Sequence, residues 1–334
     1  MRVADVFLRR DGALRAWTRV LVFLAATALA GAFAGLLVLP LLSATPVASW
    51  ARARGIPLDR WADVLALTIG TWVALRVDAG RGELPDGVRA ERAARSRGAG
   101  GAFTPPPHVA WSRVDLGAAS RDPRSLALGA VIGTLGILVP CALLLAAGYL
   151  RFTAAAGTAS WLRAAALTAF ALAPAAAAEE LAVRGYLLTV LRDVWRAPTA
   201  VLATSAIFAG LHLFNPEPTV LSTLVVGLAG VLLASVRLAT RSLYAAMAAH
   251  FAWNFVQAAV LHAPVSGIVL PETGYRTVSA GPAWLTGGTW GPEGGAAAAA
   301  ALLVATFLLV RGRREPPAAN AVAWLDEGRH ADTR

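Results

Sequence analysis

The sequence predicts an all-α fold, a polytopic membrane helix bundle of about eight transmembrane helices. Of its 334 residues, 57% are hydrophobic and only 15% are charged. A soluble fold of this length needs charged side chains over most of its exterior, and so few charges cannot cover it. Several apolar runs also approach the length of about 17 to 25 residues that a membrane-spanning helix needs. These observations exclude a water-soluble globule and indicate that lipid covers much of the surface.

Eight segments qualify as candidate spans, and the clearest is the apolar run over residues 20–43. It is longer than the apolar stretch of about 7 to 15 residues in a signal peptide, which favours a retained anchor. The second segment is the weakest because it is short and contains Asp63, so seven spans are the alternative. The eight segments are residues 20–43, 61–75, 126–150, 161–194, 198–213, 219–236, 242–261 and 295–310.

The charged residues and the single cysteine indicate the membrane topology and exclude some kinds of partner and site. All 30 basic residues are Arg, and with eight spans 24 of them fall on the cytoplasmic side and 6 on the other. This asymmetry predicts an integral protein of a bacterial plasma membrane with both termini in the cytoplasm. No soluble stretch interleaves Arg with aromatic residues, so the net charge of +10 does not indicate a nucleic-acid partner. The lone Cys141 excludes an intrachain disulfide and a cysteine-based metal cage.

We expect four regions along the chain. Residues 1–119 form an anchor region with two spans and a mobile cytoplasmic loop rich in Arg, Gly and Pro. Residues 120–262 form the helix bundle that carries the polar groups discussed below. Residues 263–314 contain an outer loop, with Trp284 and Trp290 expected at the membrane interface, and the last span. Residues 315–334 form a disordered cytoplasmic tail.

Ionisable and strongly polar side chains within the spans are the candidate functional residues, because each costs roughly 2.5 to 3.5 kcal/mol on insertion. They are confined to the second half of the chain. The set consists of Glu179, Glu180, Arg184, His212, His250 and Asn254.

The adjacent glutamates Glu179 and Glu180 are predicted to differ in role. Glu180 and Arg184 are four residues apart, so they share a helix face and can pair, whereas Glu179 points about 100° away. A carboxylate without a local cation is the better proton acceptor, which favours Glu179 as the reactive group. In the alternative interpretation, the two acids form the polar end of a helix and Arg184 is an anchor at the membrane surface.

The two histidines can reach the same depth as Glu179. At 1.5 Å per residue, Glu179 and His212 both lie about 23 to 26 Å from the turn that joins their helices. His250 lies about 16 Å beyond its own turn, which agrees if the other two helices project about 8 Å further into the cytoplasm. Asn254 shares a helix face with His250. Alternatively, His212 is a packing residue and the His250–Asn254 pair is a clasp between helices.

A Glu, two His and an Asn in a dry cavity suit hydrolysis of an amide by water. Glu179 can take a proton from the water, His212 can orient it, and His250 and Asn254 can donate to the oxyanion. A divalent metal such as zinc is the rival interpretation, with Glu179, His212 and His250 as its ligands. The zinc-protease signature H-E-x-x-H is absent from the sequence. Metal-free catalysis is favoured, and metal dependence stays open.

The motifs EELAVR, FAGLH and HFAWN, in this order on successive apolar segments, resemble the CPBP family of intramembrane proteases. That family includes the type II CAAX prenyl endopeptidases and the Abi-like proteins of bacteriocin processing or self-immunity. The resemblance covers roughly residues 120–262. It implies an eight-helix endopeptidase in which Glu179 and His212 activate water and His250 and Asn254 form the oxyanion site. It also implies supporting roles for the matched residues, which are Glu180, Arg184 and Phe208.

The resemblance leaves the chemistry and the substrate partly open. Family members have been described both as metalloproteases and as glutamate-type proteases. The implied partner is a peptide or protein substrate at the membrane, prenylated or not. A non-enzymatic membrane immunity or scaffold protein of the same fold is the alternative. A proton- or ion-coupled carrier is less favoured, because the sequence has no paired halves with broken helices.

Overall fold

The computed structural model describes residues 6–8, 14–46, 49, 59–80, 111–155, 160–270 and 273–312. Most of the Arg-, Gly- and Pro-rich loop, predicted to be mobile, and all of the tail predicted to be disordered lie outside the described residues. Within them the chain is mostly helical, which confirms the predicted all-α membrane bundle. The elements in chain order are α1 (Ala16–Leu41), α2 (Asp59–Gly80), α3 (Pro123–Ala146), β1 (Leu150–Ala154), α4 (Trp161–Arg192), α5 (Ala197–Leu211), α6 (Val220–Thr240), α7 (Leu243–Phe255), β2 (Tyr275–Ser279), α8 (Ala283–Thr286) and α9 (Ala296–Arg311).

Every one of the eight predicted segments overlaps a helix, but the number of spans is not confirmed. By length and composition, five helices are able to cross a membrane, namely α1, α3, α4, α5 with its extension to Phe214, and α6. Helix α9 is apolar but shorter. The structure therefore supports a polytopic membrane protein without fixing the count of eight.

Residues 263–294, predicted to be an outer loop and called the outer segment below, contain a strand and several short helical turns. Strand β2 pairs antiparallel with β1, with Leu150 opposite Ser279. Trp284 is 62% exposed, in keeping with a position at the interface, but Trp290 is only 2% exposed. The prediction for Trp290 is wrong, because its ring packs against buried apolar side chains of α4, α5 and α6. This packing brings the outer segment close to the polar residues of the bundle.

Helix α3 begins at a polar cap. The carboxylate of Asp122 accepts hydrogen bonds from the backbone N–H groups of Arg124 and Ser125 and from the Ser125 hydroxyl. The Ser125 hydrogen bonds hold the pKa of Asp122 below its usual value. Pro123 occupies the first turn, where its missing N–H costs nothing. The cap fixes where α3 enters the bundle.

Glycines allow α3 to approach α7 closely. A Cβ atom at Gly129 or Gly133 would overlap the carbonyl oxygen of Ala245 or Ala249, respectively. Small residues at such contacts let helix backbones meet within a membrane, where packing replaces the hydrophobic effect as the main attraction. Because α7 carries His250, this contact sets the position of one candidate catalytic side chain.

A buried ionic cluster joins α1 and α2 to α4. The guanidinium of Arg19 forms two hydrogen bonds with the Asp78 carboxylate, of 3.1 and 3.0 Å. The hydroxyl of Tyr186 donates to Asp78 at 2.7 Å. Asp193 accepts from Arg19 and Arg113, both at 2.7 Å. These bonds hold the first two helices against the second half of α4, close to Glu179 and Glu180 in the sequence.

Replacement of Asp78 by Ala is expected to destabilise the protein by about 3 to 5 kcal/mol, because it leaves the buried Arg19 without its main counter-charge. Asp193 is the matched control, since its side chain is 38% exposed. Asp193→Ala should cost about 1 kcal/mol or less. Unfolding of the purified variants in detergent micelles measures both effects. A loss of about 1 kcal/mol or less for Asp78→Ala would show that the Asp78 contacts do not hold the helices together.

Candidate active site

The candidate glutamates lie where α4 changes its helical winding. The regular helix Trp161–Glu180 passes into a π-helical stretch at Leu181–Leu187. Gly185 within this stretch has non-helical backbone angles, with ψ of −106°. Local π-helical turns are frequent at functional sites because they rotate the side chains on either side relative to a regular helix. Here the change immediately follows Glu179 and Glu180.

The predicted pairing of Glu180 with Arg184 is present. Arg184 Nη1 donates to Glu180 Oε1 at 2.9 Å, and both side chains are completely buried. The Arg184 guanidinium also lies over the ring of Phe208, 3.9 Å from its centroid. A cation over an aromatic face is attracted by the ring quadrupole, and more strongly when desolvated. The ion pair therefore ties α4 to α5 through Phe208.

Arg237 satisfies the backbone of the π-helical stretch. Its Nη1 donates to the carbonyl oxygens of Arg184 and Gly185, and its Nη2 donates to the Thr189 hydroxyl at 2.9 Å. Its Nε donates to Asp115 at 3.0 Å, which supplies the counter-charge. Buried carbonyl groups need such partners, since water cannot reach them. One arginine of α6 thus stabilises the irregular backbone next to the glutamates.

His212 stands at the end of α5 rather than inside a regular helix. It begins a 3₁₀ turn over His212–Phe214. Its Nδ1 lies 2.8 Å from the carbonyl oxygen of Phe208. A carbonyl oxygen only accepts hydrogen bonds, so Nδ1 carries the proton and Nε2 of the neutral ring presents a lone pair. That Nε2 lies 3.8 Å from Glu179 Oε2.

His250 on α7 is oriented in the same way by a different partner. Its Nδ1 lies 3.0 Å from Glu180 Oε1, so Nδ1–H donates to that carboxylate. Its Nε2 lies 3.8 Å from Glu179 Oε2, the same oxygen that faces His212. The Phe208 ring packs against both imidazoles, with centroid distances of 4.5 Å to His212 and 6.0 Å to His250. Two rings from different helices therefore turn equivalent nitrogen atoms towards one carboxylate.

Glu179 Oε2 faces both imidazoles without bonding directly to either. A separation of 3.8 Å is too long for a direct hydrogen bond. Glu179 Oε2 is itself buried and has no hydrogen-bond partner, although the whole side chain is 40% exposed. A water with bonds of about 2.8 Å can bridge two polar atoms that are spaced this far apart. The arrangement suits a water held between a carboxylate and an imidazole.

Asn254 lies one turn beyond His250 and is half-buried. Asn254 lines the same cavity as the two histidines, which has a volume of about 50 Å³. Most of the other lining residues are apolar, and they come from α3, α5, α6, α7 and α9. His212, His250 and Asn254 thus line one largely apolar space. Glu179 lies beside it, with its Oε2 3.8 Å from each Nε2 of the two histidines.

The donor set of Glu179, His212 and His250 is chemically of the type that binds zinc. Tetrahedral zinc with ligands at about 2.0 to 2.2 Å holds neighbouring donor atoms about 3.3 Å apart. The observed separations of 3.8 Å are wider than this. Within the described ranges, no group of three or more His, Cys, Asp or Glu side chains is arranged to hold a metal ion. The metal hypothesis stays a prediction that needs a direct measurement.

Two residues near the site were not among the sequence-predicted candidates. In the sequence, Arg237 is only one of the 24 arginines predicted to be cytoplasmic. It bonds to the carbonyl oxygen of Arg184, 53 positions earlier in the chain. Glu293 lines the cavity together with the histidines, although it belongs to the outer segment. An acid flanked by Pro and Gly just before an apolar run was a visible signal for Glu293. For Arg237 the sequence contains no comparable signal.

Replacement of Arg237 by Met is expected to destabilise the protein by about 3 kcal/mol, because two backbone carbonyl groups and Asp115 lose their donor. The exposed Arg196 is the matched control, and Arg196→Met should change the free energy of unfolding by about 0.5 kcal/mol or less. Chemical unfolding in detergent micelles provides the comparison. A loss for Arg237→Met no larger than for the control would contradict the stabilising role.

Comparison with known proteins identifies the segment that holds these residues. The family model described as type II CAAX prenyl endopeptidase Rce1-like matches residues 159–256, which include all four candidate catalytic side chains. No curated protein and no solved structure matches the chain. The family indicates a protease whose substrate is a peptide or protein associated with the membrane. Residues 159–256 are therefore similar to the Rce1-like family, consistent with the CPBP-type protease that the three motifs predict.

Proposed function

We propose that the protein is an intramembrane endopeptidase that hydrolyses a peptide bond with a water activated by Glu179 and His212. The observation that carries the proposal is the convergence of two imidazole Nε2 atoms on Glu179 Oε2, each at 3.8 Å. No Ser or Cys nucleophile is needed for this reaction. The similarity of residues 159–256 to the Rce1-like family supports the reaction class.

In the proposed first step, Glu179 removes a proton from the bridging water as the oxygen attacks the substrate carbonyl carbon. The buried Oε2 atom has no other hydrogen-bond partner, so it is available as the base. The Nε2 lone pair of His212 accepts the second hydrogen of the water and orients it. The backbone carbonyl of Phe208 fixes this tautomer. The proton then passes to the leaving amine, which gives a free carboxylic acid and a free amine.

His250 can donate a hydrogen bond to the oxyanion only if its Nε2 carries a proton. With Nδ1–H bonded to Glu180, the neutral ring presents a lone pair at Nε2 and not a donor. His250 must therefore carry a second proton to donate to the oxyanion. Glu180 is placed to stabilise such an imidazolium, as the carboxylate of a serine-protease triad does. In this arrangement Glu180 orients His250 and stabilises its protonated form, while Glu179 removes the proton from water.

Asn254 supplies a donor that needs no change of protonation. Its amide lies one turn from His250 and faces the shared cavity. Hydrogen-bond donors to a developing oxyanion are worth about 10²- to 10³-fold in kcat. The effect is strengthened by the apolar walls around the cavity, since electrostatic interactions grow as the local dielectric constant falls.

Exchange of Glu179 for Gln tests the proposal. The amide keeps the size of the side chain but cannot take a proton, so kcat should fall about 10²- to 10⁴-fold. The assay compares wild type and variant on synthetic peptides that are anchored to vesicles by a C-terminal prenylated cysteine or by an N-terminal acyl chain. Mass spectrometry reads out the cleaved bond, and the pair of anchors shows whether a prenyl group is required.

Glu217→Gln is the matched control, because Glu217 is an exposed glutamate whose carboxylate accepts a hydrogen bond from the Thr289 hydroxyl and does not line the cavity. It should keep wild-type activity. Persistent cleavage by folded Glu179→Gln would refute the assignment of the base. A wild-type protein that cleaves none of the peptides would favour the non-enzymatic immunity or scaffold role. Stoichiometric zinc in active protein, with loss of cleavage on chelation, would replace the metal-free mechanism by a metal-bound water at the same residues.

A further inference from the structure

A carboxylate that has no part in the mechanism, Glu293, lines the cavity shared by His212, His250 and Asn254. Glu293 is 8% exposed and belongs to a 3₁₀ turn over Pro292–Gly294. Its Oε1 accepts from the backbone N–H of Ser266 at 2.5 Å and from the Ser266 hydroxyl at 2.7 Å. Its Oε2 accepts from Trp253 Nε1 at 2.9 Å. Trp253 and Ser266 line the same cavity.

The backbone on both sides of Glu293 is closely packed against neighbouring segments. Gly291 has φ of 106°, a conformation that residues with a side chain rarely adopt. A Cβ atom there would overlap the carbonyl oxygen of Pro264, so the turn is pressed against the segment before Ser266. A Cβ atom at Gly294 would lie 2.5 Å from the buried Trp290 ring. The carboxylate is therefore fixed in the wall of the cavity.

The Glu293 carboxylate can accept one hydrogen bond in addition to the three that it forms. A carboxylate offers about four acceptor sites, and the two bonds at Oε1 and one at Oε2 leave one site on Oε2. All three partners are neutral donors, so the charge of Glu293 has no cation among these partners. Apart from His212, His250, Asn254 and Ser266, the cavity wall is apolar, so a charge on Glu293 acts through a medium of low dielectric constant.

We infer that Glu293 is a specificity-determining residue that makes the cavity select the charge of the peptide within it. A basic side chain, or a neutral one that donates a hydrogen bond, is accepted next to Glu293. An acidic side chain or a terminal carboxylate at that place is rejected. This inference rests on the proposed function, because it names the class of peptide that the same cavity takes.

The expected size of the effect follows from Coulomb's law. Two unit charges about 6 Å apart, at an effective dielectric constant of about 20, change an equilibrium constant about hundredfold. Partial solvation of the open cavity reduces this figure. A preference of at least about tenfold for Lys over Glu is the outcome expected for the wild-type protein.

The test uses acyl-anchored peptides in which single positions on either side of the cleaved bond carry Lys, Gln or Glu. The ratio of kcat/KM between the Lys and Glu peptides should be at least about tenfold for the wild type and close to one for Glu293→Gln. Ser266→Ala removes one hydrogen bond to Glu293 and keeps its charge, so the ratio should persist. Glu217→Gln should also keep it. Equal cleavage of Lys and Glu peptides by the wild type would overturn the inference, whatever the stability of the variants.

A binding measurement separates this inference from the proposed function. Dissociation constants of the same peptides are measured with Glu179→Gln and with the double variant that also carries Glu293→Gln. A Lys preference that is lost in the double variant supports the inference even if the wild type cleaves nothing, an outcome that defeats only the proposed function. Cleavage by the wild type with a charge ratio unchanged in Glu293→Gln defeats only the inference.

Discussion

The buried ion pair between Glu180 and Arg184 is the interaction on which the candidate site depends. Glu180 Oε1 accepts from Arg184 and from His250, so the pair sets the orientation of one imidazole directly. Arg184 lies over Phe208, whose carbonyl oxygen orients the other imidazole at His212. Removing two charges from water costs several kcal/mol per ion, and the attraction between them offsets this only with good geometry and further hydrogen bonds. The bonds that surround the pair also align the two Nε2 atoms.

The ion pair also gives the neighbouring residues Glu179 and Glu180 different surroundings. Adjacent side chains on a helix diverge by about 100°, so both cannot join the ion pair. Glu180 is completely buried, whereas the side chain of Glu179 remains 40% exposed and its Oε2 has no hydrogen-bond partner. A carboxylate held at Oε1 by Arg184 and His250, and one without such bonds, therefore follow from one pair of consecutive residues. A π-helical stretch follows them, and Arg237 donates hydrogen bonds to its backbone.

Local rules explain why part of this site could be predicted from the sequence. Apolar runs predicted the helices, and the spacing of four residues predicted the bond between Glu180 and Arg184. Helix rise predicted that Glu179, His212 and His250 could reach one depth, and the structure brings them within 3.8 Å. The bonds of Arg237 to α4, and of Arg19 to Asp78, join residues far apart in the chain and have no period in the sequence. The buried position of Trp290 likewise depends on packing against three helices, so composition alone placed it wrongly at the interface.

The polar groups around the site favour a peptide over a purely apolar ligand. Asn254 and Glu293 place hydrogen-bonding groups around a space with mostly apolar walls, and Glu179 lies next to the histidines that line it. A peptide that enters the hydrocarbon region must find partners for its backbone N–H and carbonyl groups, since lipid offers none. Carboxylates accept from N–H groups and the Asn254 amide donates to a carbonyl, so both kinds of backbone group can be satisfied. A hydrocarbon chain would leave these polar groups unpaired. The polar lining therefore gives a reason for an unfolded peptide segment to leave the water, and it places a peptide bond next to the water that Glu179 and His212 can hold.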